Sequence, residues 1–129
     1  MFSVSSAFRV VLIAALTLAA APVVAASGPT RDCFYITAWQ GWKSPSPTVI
    51  YLKVNSDIYQ IDLSVGSAKL SFPAMHLTSR VRDTSSICGP LDLDLEIADT
   101  QGNREPLIAK SITKLTPDEI AAIPPKYRP

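Results

Sequence analysis

The 129-residue chain contains one histidine, two cysteines and five glycines. Each scarcity excludes a chemistry. A lone imidazole cannot build a zinc site without further histidine or thiolate ligands. The two cysteines stand at positions 33 and 88, so there is no C-x-x-C redox pair. Neither a glycine-rich phosphate loop nor a G-x-S-x-G nucleophile turn occurs. An excess of one charge is also missing: 12 Lys and Arg face 11 Asp and Glu, a formal net charge of +1. A nucleic-acid binder needs surplus positive charge to meet phosphates, and a membrane-surface protein needs a polybasic patch. Neither is present. No apolar run reaches the ~20 residues that cross a bilayer as a helix.

The longest apolar run, at residues 10–21, has another meaning. Arg9 precedes it, Pro22 breaks it, and Val24 and Ala26 supply small residues at −3 and −1 for cleavage between Ala26 and Ser27. That is the layout of a secretory signal over residues 1–26. A lipid anchor would need a cysteine at the cut, and the first is Cys33. Removing the leader leaves 103 residues and takes Arg9 with it, so the net charge falls to zero. This length suits one small domain. The expected address is a periplasm or the extracellular space, with no membrane span after cleavage and a monomeric product. In such an oxidising compartment two cysteines read as one bridge, Cys33–Cys88. Closing a loop of that span stabilises by ~4 kcal/mol in the chain-entropy picture, against a total of ~5–15 kcal/mol for a domain.

Along the mature chain, residues 27–32 form a polar, flexible lead and residues 33–123 the domain. Residues 33–38 favour a strand. Trp39 and Trp42 border a segment at 43–47 whose two prolines predict a loop. Residues 48–63 predict a β-hairpin. Ile50, Leu52 and Val54 share one face, Tyr59, Ile61 and Leu63 point inward, and Asn55, Ser56 and Asp57 form the turn. Residues 64–69 predict a loop around Gly66, residues 70–72 a short strand, and residues 76–82 another. The cleanest alternation is at 91–97: Leu91, Leu93, Leu95 and Ile97 on one face, Asp92, Asp94 and Glu96 on the other. A polar turn surrounds Gly102, and a further strand runs through Ile112. Thr116, Pro117 and Glu119 announce one short helix, stopped by Pro124 and Pro125. Residues 124–129 are a C-terminal tail, more readily frayed than bound. The expected fold is mainly β: a small antiparallel sheet, as a sandwich or partly closed barrel, with one short C-terminal helix.

Four stretches together carry a resemblance. They are Arg31–Phe34, the Tyr51–Val54 strand with Tyr59, Ile87–Leu93, and Ser111–Glu119. The chain resembles, from about Arg31 to its end, a family of small secreted proteobacterial proteins to which no activity is assigned. The resemblance implies secretion and the domain limits, and no function. Members often carry four cysteines. The two missing here would fall near Ala68 and Leu107, so the resemblance supports the Cys33–Cys88 pairing and implies that Ala68 and Leu107 are neighbours.

The chemistry-bearing candidates each have a plain structural alternative. Asp92, Asp94 and Glu96 resemble a paired-carboxylate site only if a cleft gathers them; otherwise they are a wet strand face. His76 is catalytic only beside a serine or carboxylate. Arg80 and Arg82 are an anion clamp or a solvated face. Tyr35, Trp39 and Trp42 are the candidate binding residues, since aromatic rings offer flat area with a polar edge; the alternative is core. No metal ligand set and no cofactor is expected. The leading expectation is a non-catalytic envelope protein that binds a partner protein or small ligand through its loops. The alternatives are a small hydrolase using His76 and the acidic strand, or a structural docking accessory with a large exposed apolar surface.

Overall fold

The computed structural model describes residues 32–82 and 85–129. The leader, the cut between Ala26 and Ser27 and all of the lead except Asp32 lie outside the described residues. The strands are β1 (Phe34–Tyr35), β2 (Trp39–Ser46), β3 (Val49–Val54), β4 (Asp57–Val65), β5 (His76–Arg80), β6 (Ser86–Ile87), β7 (Asp94–Ala98) and β8 (Arg104–Lys114). One helix follows, α1 (Pro117–Ala122). Six strands form an antiparallel sheet in the order β2-β3-β4-β8-β7-β5, while β1 pairs with β6 alone. The large sheet curls into a half-barrel. The mainly β expectation is met, in its partly closed form.

The curl comes from β8. Residues 108–114 pair with β4, and residues 104–107 pair with β7. One long strand therefore passes from one half of the sheet to the other, and register shifts at Leu63 and Val65 mark the crossing. Bulges of this kind bend a strand and increase its twist.

The β3–β4 hairpin forms as the alternation requires. Ile50, Leu52 and Ile61 are fully buried, as are Leu95 and Ile97 from the other half of the sheet. Each such side chain contributes ~1.5–3 kcal/mol by leaving water. The hairpin turn is two residues long, with Asn55 left-handed at φ 55°, a conformation asparagine tolerates. Gly66 is required by close approach: a side chain there would collide with the Pro47 carbonyl, which also accepts the Ser67 N–H at 3.0 Å.

A second, smaller core lies on the outer face of the hairpin. Ile58, Leu115 and Ile123 are buried there, with Tyr51, Ile120 and Tyr127 packed on them. Helix α1 is positioned by the expected capping box: the Thr116 hydroxyl accepts the Glu119 N–H, and the Glu119 carboxylate accepts the Thr116 N–H at 2.8 Å. The tail is not frayed. Arg128 donates to the carbonyls of Ile123 and Ala121, at 2.8 and 3.2 Å, and a 3-10 turn at Pro125–Tyr127 presses Tyr127 onto this core.

Four further expectations are corrected. Residues 43–46 are strand, not loop: β2 is an edge strand, and a shift between Lys43 and Ser46 accommodates Pro45. The buried Ser44 hydroxyl holds that irregularity, 2.5 Å from the Ser46 carbonyl and 2.7 Å from that of Val49. Residues 33–38 give only the two-residue β1 before a 3-10 turn at Ile36–Ala38. Leu70 and Ser71 belong to a 3-10 turn at Ala68–Ser71, begun by the Ser67 hydroxyl accepting the Lys69 N–H and followed by Phe72 as its C-cap. Finally, Leu91 does not join Leu93, Leu95 and Ile97. It is 91% exposed on a 3-10 turn at Pro90–Asp92. The Asp92 carboxylate accepts the N–H groups of Cys88 and Gly89 at 2.8 and 2.9 Å, so the chain turns before the strand begins.

The bridge joins Cys33 to Cys88, and no free cysteine remains among the described residues. It sits directly before Phe34 and after Ile87, which pair across β1 and β6 and are both buried. Phe34 packs on Tyr59 with ring centroids 4.6 Å apart. The covalent tie thus delivers an aromatic ring to the main core through a ladder only two residues long. Disulfides persist in oxidising compartments, and this one is consistent with such a setting. No helix of the described residues is long and apolar enough to cross a membrane.

Candidate functional site

The expected aromatic trio is not one site. Tyr35 is 63% exposed on β1. Trp39 and Trp42 lie opposite Val54 and Leu52 on β2, half-buried, and both pack against the main core. Of the three, Trp42 lines a cleft that Tyr35 and Trp39 do not reach. This cleft, of about 440 Å³, straddles the free edge of β2. Its size falls within the range of small-molecule pockets, ~300–1,000 Å³.

Three separate segments build it. Strand β2 brings Trp42 and Lys43. The stretch after the first half of the sheet brings Leu70, Phe72 and Met75, and the tail brings Lys126 and Tyr127. Phe72 is 58% exposed although it is aromatic. Beside it the backbone is strained: Ala74, also lining the cleft, has φ 62° without being glycine or asparagine. A left-handed alanine costs ~1–2 kcal/mol, and such outliers gather where a surface is shaped for use. The site combines flat rings, a flexible methionine and two cations, with no carboxylate in its lining.

Sequence reasoning identified Trp42 and missed Phe72, Met75, Lys126 and Tyr127. The sequence places Phe72 at the end of a short strand and Tyr127 in a loose tail. The available signal was Tyr127 itself, a large aromatic in an otherwise polar segment.

The other candidates are occupied or isolated. Glu96 accepts from Arg80 at 2.6 Å and Arg104 at 3.2 Å, and Asp94 from Arg82 at 3.2 Å. Arg80, Arg82, Asp94 and Glu96 therefore form a cross-strand ion network on a wet face, of modest energetic worth. Asp92 caps a turn instead of sharing that face. His76 begins β5 opposite Ala98, exposed, and its side chain has no hydrogen bond or ion pair to any described residue. It lines neither this cleft nor the two described next. No group of three or more His, Cys, Asp or Glu among the described residues could hold a metal ion.

A second cleft, about 310 Å³, lies beside the bridge between Asp32, Tyr59, Cys88 and Lys114. Burial pushes the Tyr59 phenol up, and the hydrogen bond to Asp57 raises Lys114. A third, about 190 Å³, includes Leu91, Leu93, Leu107, Ile108 and Arg82. Exposed Val65 lies beside exposed Ile108 in the β4–β8 ladder.

Lys69 reaches Glu105 at 3.7 Å and Asp99 at 3.9 Å. Comparison with protein-family models, with curated proteins and with solved structures finds no match.

Proposed function

We propose that the protein is a secreted or periplasmic binding domain that takes a small, ring-bearing ligand into the cleft at the edge of β2. The observation that carries this reading is the convergence of Trp42, Phe72 and Tyr127 from three distant segments on one concavity of ligand size. Stacking on such rings supplies affinity without catalytic groups. The half-barrel supplies the frame, and the strained Ala74 turn shapes one lip. The leader read from the sequence and the disulfide together support export.

The test is a thermal-shift screen of ring-bearing small molecules against the wild-type and Phe72→Ala proteins. Phe72 is exposed, so its removal leaves stability within ~0.5 kcal/mol. Hits that raise the wild-type Tm and lose most of that effect in Phe72→Ala support the reading. Hits that stabilise both proteins equally place the ligand elsewhere and defeat it.

A specific observation favours a second reading, a docking accessory. Leu91, Ile108 and Val65 are large, apolar and 91%, 54% and 47% exposed, and Leu91 and Ile108 share a cleft. Contiguous apolar surface of this kind marks protein contacts. A Leu91→Asp variant that no longer co-purifies with an envelope partner retained by the wild type would support it; unchanged co-purification would not.

A further inference from the structure

The charges around the cleft say more than its rings do. Five of the ten cations of the described residues are paired with a carboxylate. Lys69 is paired with Asp99 and Glu105, Arg80 and Arg104 with Glu96, Arg82 with Asp94, and Lys114 with Asp57. Lys43, Lys53, Lys110, Lys126 and Arg128 are not paired among the described residues, and of these Lys43 and Lys126 line the cleft that gathers Trp42, Phe72 and Tyr127. No aspartate or glutamate lines it. Two lysines with no carboxylate beside them in the lining make this aromatic concavity locally positive in a mature chain whose formal charge sums to zero. Fields focus in such concavities.

Lys126 adds a mechanism. Its Nζ lies 4.6 Å from the Tyr127 ring centroid, a cation–π contact. The ammonium is thereby kept at the cleft wall on a weak, exchangeable partner. An incoming anion can take up that ammonium without breaking a stronger ion pair.

We propose that the cleft selects a ring carrying one anionic group, with the ring between Trp42, Phe72 and Tyr127 and the anion between the ammonium groups of Lys43 and Lys126. This rests on the ring-binding reading above and specifies its ligand class. The shared chemistry is a ring carboxylate, whether the ring is aromatic or a sugar. Two partly exposed lysines are expected to favour the anion over its neutral isostere about tenfold, given the modest worth of charge-assisted contacts at a wet surface.

The experiment is an NMR titration of the isotope-labelled mature protein with two matched pairs: 4-hydroxybenzoate against 4-hydroxybenzamide, and glucuronate against glucose. Which acid binds identifies the ring type. The expected result is that at least one acid shifts the amides of Trp42, Phe72 and Tyr127, binds about tenfold tighter than its neutral partner, and weakens as salt rises. The Lys43→Gln/Lys126→Gln double variant should lose the preference and keep the neutral ligand's weaker binding. Both lysines are exposed, so this variant is expected to fold, and its spectrum reports that directly. Equal binding of acid and neutral partner overturns the charge assignment and leaves the ring-binding reading standing. Preference retained in the double variant also overturns it. No shift from any of the four compounds at about 10 mM, a regime weaker than ~3 kcal/mol of binding, overturns both.

Discussion

Replacing both bridge cysteines by alanine is a perturbation whose effect can be worked from the loop that the bridge closes. The two positions are 55 residues apart. Releasing a loop of that length returns ~4 kcal/mol of entropy to the unfolded chain. The folded state offers little to offset the loss. Without the bridge, Phe34 and Tyr35 are held by a two-residue ladder to Ile87 and Ser86, together with the Phe34 contact on Tyr59. A domain of this size shifts its Tm by ~4–8 °C per kcal/mol, so the midpoint should fall by roughly 15–30 °C. Calorimetry of the oxidised protein against Cys33→Ala/Cys88→Ala reads this directly. Amide hydrogen exchange separates two ways of being wrong. If the midpoint moves by only a few degrees while residues 33–38 exchange freely, the bridge merely pins a local flap. If neither changes, the loop is already closed by packing in the unfolded ensemble, and the entropy argument fails.

Other expectations follow from single contacts. Leu95→Ala should cost ~2–5 kcal/mol in urea denaturation, because its side chain is 1% exposed. Leu91→Ala, from the same apparent stripe, should stay within ~0.5 kcal/mol; similar losses at both would contradict the turn at Pro90–Asp92. Asp99 predicts a pH effect. Its carboxylate accepts from the Asn103 side chain and from the Asn103 and Gln101 N–H groups, which holds its pKa below the ordinary 3.8. A depressed folded pKa contributes stability above the unfolded value, and that contribution is lost as pH falls through the folded one. Asp99→Asn should therefore flatten the acid limb of stability below about pH 4; an unchanged limb would show that the turn's hydrogen bonds do not favour the charged form.

The parts of the fold legible in the sequence are those decided by local pattern. The β3–β4 hairpin and the Thr116 capping box each rest on neighbours a few residues apart, and both form as read. The errors arise where a short-range contact overrides a pattern. Asp92 looks like one member of an acidic stripe, yet its carboxylate is drawn to two N–H groups behind it, and Leu91 is turned outward. Pro45 looks like a loop signal, yet an edge strand has a free side on which a missing N–H costs little. Residues 124–129 look like a loose end because nothing local shows that Arg128 can reach back to two helix-end carbonyls. The cleft was the least legible feature. Its walls come from residues 42–44, 70–75 and 126–127, which no periodicity links, and only Trp42 could be nominated by its type. Tyr35 and Trp39, nominated on the same ground, stand outside it.

The chain carries two tryptophans, and they give the ring-binding account its most direct measurement. Each indole N–H contributes one proton resonance, and only Trp42 lines the cleft. Saturating the protein with whichever ring acid binds should move the Trp42 indole signal and leave that of Trp39 in place. Movement of Trp39 alone, or of neither indole while the acid demonstrably binds, would contradict the site.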